Sequence, residues 1–130
     1  MKEEGGRMKE EGGKMKDLAT RTREFAVRVV RLYVDLPKTT QAQVLGKQML
    51  RSGTSVGAHY REATRARSDA EFISKIEGGL QELEETRYWF ELLRDAQVLS
   101  WDRLAELDKE ADELTAILVT LVKKRKAARP

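Results

Sequence analysis

A chain of 130 residues with 36% charged residues, a formal net charge of +3 and no cysteine has room for one domain with a useful core. The absence of cysteine excludes a disulfide framework and thiolate metal sites. The N-terminus lacks the apolar stretch of a signal peptide and no apolar run approaches the length of a membrane span, so a soluble, cytoplasmic protein without a membrane partner is expected.

The chain opens on a tandem repeat, Met1-Lys-Glu-Glu-Gly-Gly-Arg7 followed by Met8-Lys-Glu-Glu-Gly-Gly-Lys14. Paired glycines and alternating charge give it no apolar face, so residues 1–16 read as a disordered or frayed leader. Met1, Met8 and Met15 are each plausible starts.

From Lys16 the pattern predicts four helices. The first covers about Asp17 to Leu36, with Leu18, Phe25, Val29, Leu32 and Leu36 on one stripe and Ala26, Val30 and Tyr33 widening it. Pro37 stops it, and Thr39 or Thr40 can cap the next helix, with Gln43 completing a capping box from Thr40. That second helix runs to about Arg67. Its seam, Leu45, Met49, Ser52, Val56, His59, Ala63 and Ala66, is built from small and polar residues where a buried stripe normally carries Leu and Ile. Small residues let a neighbouring backbone approach, and buried polar ones need partners, so the pattern predicts a tightly registered helical assembly.

Ser68-Asp-Ala-Glu71 is a capping box opening a third helix, whose seam is Phe72, Ile76, Gly79, Leu83, Thr86, Phe90 and Leu93, ending near Ala96. Ser100 is the expected cap of the fourth helix, with Asp102 in its first turn and a seam of Leu104, Leu107, Ala111, Leu114, Leu118 and Leu121. Short connections between long helices force neighbours to run antiparallel. The expected fold is therefore all-α, an antiparallel up-down-up-down four-helix bundle over residues 17–122, followed by a basic tail over residues 123–130.

Charge divides the bundle. Residues 17–67 carry a balance of +6 and residues 68–122 a balance of −9, with the tail adding +5. In a monomer this matches charge internally; in a ring it lets the basic face of one copy meet the acidic face of the next.

Several constellations could carry chemistry. Ser55, His59 and Glu62 share one helical face, and a His–Glu pair can ligate a metal or shuttle a proton. A bundle dimetal site, however, needs two Glu-x-x-His motifs, and this chain has one histidine in the order His-x-x-Glu. The expectation is structural: Ser52, Ser55, Val56, His59 and Glu62 set register, the polar ones bonding to one another or to the third helix, with His59 a pH-sensitive point in the packing.

Gly46, Gly53 and Gly57 flank that seam and Gly78-Gly79 lies in the third helix; closest packing of helix two on helix three is the expected reason, and a subunit interface the alternative. Arg61, Arg65 and Arg67, with Lys123, Lys124, Arg125, Lys126 and Arg129, are candidates for weakly sequence-specific phosphate contact, or simply helix-end cations. Tyr88, Trp89 and Phe90 cannot all face one core, which makes Tyr88 and Trp89 interface candidates, and Trp101 is expected to fold over the turn before helix four. Glu82, Glu84, Glu85 and Glu91 read as solvated or paired helix-face charges. No phosphate-binding glycine loop, triad, helix-turn-helix or aromatic single-strand platform is visible, so no catalytic residue, cofactor or metal is expected.

The stretch Leu50-Arg-Ser-Gly-Thr-Ser-Val-Gly-Ala-His-Tyr-Arg-Glu-Ala63, with Phe72-Ile-Ser-Lys-Ile and Glu84-Glu-Thr-Arg-Tyr-Trp-Phe-Glu-Leu-Leu93, resembles the signature of the 23S ribosomal RNA intervening-sequence proteins over roughly residues 18 to 122. His59 stands where that family usually has asparagine. The family is similar to the accessory protein of diversity-generating retroelements, a basic pentameric barrel of four-helix protomers that binds a reverse transcriptase and nucleic acid. The resemblance therefore implies a homopentamer with nucleic-acid affinity. Together with the residue pattern it leads us to expect a non-enzymatic oligomeric scaffold associated with nucleic acid, RNA or DNA, or with a nucleic-acid enzyme. The alternative is a purely protein-binding, self-assembling module.

Overall fold

The computed structural model describes residues 17–128, all of whose regular structure is helical: α1 (Leu18–Val34), α2 (Thr40–Thr64), α3 (Asp69–Asp95) and α4 (Trp101–Ala127). The expected leader and Arg129 lie outside the described residues. The helices pack as a bundle in which α2 lies against α1 and α3, and α4 against α3 and α1.

On α1 the buried positions are Leu18, Thr22, Phe25, Val29 and Leu32, and Leu36 is buried just beyond the helix end. Val30, expected to widen this face, is exposed, because one residue of helix rotates the side chain about 100° away from Val29. Thr39 caps α2, its side-chain oxygen accepting from the Ala42 amide at 3.3 Å. The Thr40–Gln43 box does not form. Gln43 instead donates its amide to the Pro37 carbonyl at 2.9 Å and accepts the Tyr33 hydroxyl at 2.9 Å, tying the turn back to α1.

α2 ends at Thr64 rather than near Arg67. Its last bonds tighten to the three-residue spacing, Arg65 to Glu62 at 3.1 Å and Ala66 to Ala63 at 3.0 Å, and Arg65–Arg67 become the link to Ser68. Ser68 caps α3 through the Glu71 amide at 3.0 Å, and every residue of the expected α3 seam is buried. At the other end Gln97 adopts a left-handed φ of 59°. Its amide bonds Arg94 at 2.9 Å while the Val98 amide reaches back to Leu93 at 2.9 Å, a Schellman closure with glutamine where glycine is usual.

Ser100 has the extended backbone of a cap but makes no side-chain cap bond, so Asp102 alone offsets the dipole among the side chains of that first turn. The α4 stripe runs Leu104, Leu107, Ala111, Leu114 and Leu118, then Val122 in place of the expected Leu121. From 104 to 122 is five whole turns at about 3.6 residues each, which brings Val122 back onto the core side. Because α4 continues to Ala127, residues 123–127 are its last turns and not a separate tail.

The glycines sort differently from expectation. Gly46, Gly53 and Gly57 face α1, not α3: a Cβ on Gly53 would lie 2.9 Å from both γ-methyls of Val29, one on Gly57 would lie 3.0 Å from Thr22 Oγ1, and one on Gly46 would run into Leu36. They sit on the flank of α2 beside the seam, and the seam itself already looks at α3. The α3 glycines do meet α2, with a Cβ on Gly78 falling 2.9 Å from the His59 ring and one on Gly79 at 3.6 Å from His59 Cβ.

Candidate functional site

Three of the sequence-predicted residues meet α3 along one line. Ser52 Oγ and Thr86 Oγ1 form a hydroxyl–hydroxyl bond of 2.7 Å, with both residues fully buried. Thr86 Oγ1 is also 2.7 Å from the Glu82 carbonyl and Ser52 Oγ 3.3 Å from the Met49 carbonyl, so the pair leaves no buried hydroxyl without a partner. One turn on, Val56 is fully buried.

His59 then sits between two carboxylates, Nδ1 3.6 Å from Glu62 and Nε2 3.7 Å from Glu82. Both separations exceed hydrogen-bond length, and the buried Nδ1 has no hydrogen-bond partner. The ring is seated by shape instead, in the space that Gly78 leaves open. Glu62 also lies 3.6 Å from Lys75.

Ser55 does not join this group. Its hydroxyl donates to the Arg51 carbonyl of its own helix at 2.7 Å, as serine in a helix readily does, so its proton is not available to His59. Without that hydroxyl the group lacks a nucleophile–base pair, and no cluster of three or more potential metal ligands occurs among the described residues.

Arg51 extends the line in the opposite direction, its guanidinium bonding Glu82 at 3.3 Å and also Glu85, which in turn accepts the Trp89 indole N–H at 3.3 Å. The Arg51 hydrogen bond holds the Glu85 carboxyl below its ordinary range, and the Glu85 and Glu82 bonds raise the arginine. Trp89 is thereby partly covered, whereas Tyr88 beside it is half exposed and meets the Trp89 ring edge-on at 5.1 Å. Trp101 is partly buried, with the Arg94 guanidinium 5.2 Å over its ring.

Two further clamps were not foreseen. Arg21 of α1 forks onto Glu110 of α4 at 2.7 and 3.1 Å and reaches Glu113 at 3.3 Å; Arg87 of α3 forks onto Asp108 at 3.0 and 3.1 Å and reaches Asp112. Neither pair could be found from spacing within one helix, since each depends on how two helices are registered.

The basic candidates fall into two groups. Arg61, Arg65, Arg67, Lys123 and Lys124 are exposed and make no salt bridge among the described residues. Arg125 is engaged, 3.0 Å from Asp69 and 3.8 Å over the Phe72 ring, and Lys126 lies 3.8 Å from Glu77. Among the described residues no helix is long and apolar enough to cross a membrane.

The sequence profile of the 23S rRNA-intervening sequence proteins matches residues 15–120. The chain belongs to that family. A solved structure of a family relative aligns with a TM-score of 0.76 at 39% identity, over 81% of this chain and 97% of the other; it is described as a protein with unknown function from the S23 ribosomal protein family of Bacteroides thetaiotaomicron VPI-5482. No curated protein matches the chain. The intervening-sequence name points to RNA and describes no catalysis.

Proposed function

We propose that this intervening-sequence protein is a non-enzymatic, oligomeric scaffold that associates with nucleic acid, or with a nucleic-acid enzyme, in the cytoplasm. We take its helices to alternate up and down. In support, α1 residues 22 and 29 and Leu36 just beyond that helix oppose α2 residues 57, 53 and 46 in turn, and α2 residues 52 and 59 oppose α3 residues 86 and 78. The observation that carries the nucleic-acid reading is the exposed, unbridged set Arg61, Arg65, Arg67, Lys123 and Lys124. In an alternating bundle the C-terminal turns of α2 and α4 share one end, and the Arg125–Asp69 bond ties the last turn of α4 to a residue two after Arg67.

Such a rim of cations binds phosphates through released counterions, without reading bases. Ser52, Val56, His59 and Glu62 then serve as register-setting packing and not as a reactive centre. A homo-oligomer, a pentamer by the family resemblance, would repeat the rim around a symmetry axis.

The test is affinity for a structured RNA measured against salt. Wild-type protein should bind at low salt with a log–log slope of several units, and Arg65→Gln with Arg67→Gln and Lys124→Gln should lower that slope by about one unit per contact removed. No binding at low salt removes the reading. A second reading, a protein-binding module without a nucleic-acid role, draws on Arg125 and Lys126 being engaged within the chain.

A further inference from the structure

α1 is apolar on two sides. Opposite its buried stripe, Val27, Val30 and Val34 are exposed at 42, 41 and 62%, and with Arg23 they recur in steps of four, three and four. The stripe is a ridge headed by Arg23, which borders α2, with Arg28 and Arg31 along its α4 side. None of those three arginines makes a salt bridge among the described residues, unlike Arg21 and Arg51.

On a different face, α3 and α4 enclose an open groove of about 570 Å³. One wall is Gln81, Glu84, Tyr88 and Glu91, in steps of three, four and three; Leu80, Thr115 and Val119 complete it with Arg87, whose charge is already taken up by Asp108 and Asp112. Tyr88 is 52% exposed, and Glu84 and Glu91 make no salt bridge among the described residues.

We propose that the α1 ridge of one copy docks into the α3/α4 groove of a second copy, which gives the oligomer of the proposed function its contact surface. The inference rests on that oligomeric reading. Length agrees: the twelve residues of ridge, 23–34, and the eleven of groove wall, 81–91, each span about 15–17 Å of helix. Charge agrees: cations flank the valines and carboxylates flank the tyrosine, and neither set makes a salt bridge among the described residues. Chemistry agrees: three exposed valines and a half-exposed tyrosine are the largest apolar surfaces on their faces, and docking removes them from water together. Because ridge and groove are different surfaces, the contact is head-to-tail, and every copy keeps one free ridge and one free groove until the ring closes.

The experiment is mass measurement of the full chain by light scattering after size exclusion. Val30→Glu places an acid on the ridge opposite Glu84 and Glu91; Tyr88→Arg places a cation in the groove opposite Arg28 and Arg31. Each variant alone should fall to a single chain of 14.9 kDa with its helical circular dichroism and melting retained, since both positions are exposed. Mixed, they should associate again, because the tyrosine variant keeps its ridge and the valine variant keeps its groove. Val34→Glu repeats the ridge arm should Val30→Glu fold poorly.

Variants that assemble like the wild type overturn the surface and leave the oligomeric reading standing. A mixture that stays monomeric while the wild type assembles gives the groove to another occupant and overturns it too. A wild type that is itself monomeric at every concentration ends both readings.

Discussion

The middle of α2 and the middle of α4 are equally buried, and they are buried by opposite means. α4 presents Leu104, Leu107, Leu114 and Leu118, side chains that fill space and can shift among rotamers. Beside one large side chain, Met49, α2 presents Gly46, Gly53, Ser52, Val56 and Gly57, which bring its backbone close to α1 on one side and α3 on the other. A helix held by leucines is sensitive to lost volume, whereas a helix held by glycine and serine is sensitive to gained volume. The bundle is therefore assembled around α2, whose depth of insertion fixes where the other helices can sit.

Replacing Gly53 should break this contrast most sharply. Alanine gains about 1 kcal/mol of helix propensity, but its Cβ meets two methyl groups of a fully buried Val29, a β-branched residue with little χ1 freedom. Overpacking of this kind costs about 1–3 kcal/mol, so Gly53→Ala should lower the urea midpoint. Gly79→Ala should do the reverse, gaining up to about 1 kcal/mol, because its Cβ finds only ordinary contacts of 3.6 Å and beyond. Midpoints compared at one protein concentration check both; equal shifts at the two glycines would dissolve the distinction between close and ordinary approach.

A smaller effect is expected at the hydroxyl pair. Thr86→Val keeps the shape but leaves Ser52 with only the long 3.3 Å contact to Met49, at a cost of about 1–2 kcal/mol. Adding Ser52→Ala removes the stranded group, so the double variant should be less destabilised than the two singles combined. Strict additivity in that cycle would mean that the 2.7 Å bond does not hold α2 on α3.

The helices and nearly all of their buried stripes are legible because each stripe repeats within one helix: α3 can be read from Phe72 to Leu93 without knowing its neighbours. Which neighbour a flank meets is not legible. Gly53 and Ser52 are adjacent in sequence, about 100° apart around the helix, and face α1 and α3 respectively. Ser55 shows the same limit at the candidate site: i, i+4 spacing puts it on the face of His59, but its hydroxyl closes on its own backbone at Arg51, a local alternative the spacing does not weigh. The end of the chain misled for a different reason. A run of cations looks like a tail, yet Lys and Arg are good helix formers and suit the negative end of the α4 dipole, so the helix continues through them.

The smallest expected effect tests whether α2 is held on α3 by charge as well as shape. Arg51 keeps the Glu85 carboxyl below its ordinary range, so the folded state binds that proton less readily than the unfolded chain. A depressed carboxyl contributes stability in full above the unfolded value, about 4.3 for glutamate, and the contribution is lost as pH falls through the folded value. Both side chains are more than a third exposed, which screens the pair and limits its worth to about 0.2–1 kcal/mol. The melting temperature of wild type minus that of Arg51→Met should accordingly be small, constant from about pH 5 to 7, and shrink towards zero as pH falls below the unfolded value and through the lower folded one. A difference that persists unchanged into acid would place the contribution of Arg51 in its aliphatic stem lying along α2, and would leave the close fit of Ser52, Val56 and His59 as the whole of what binds these two helices.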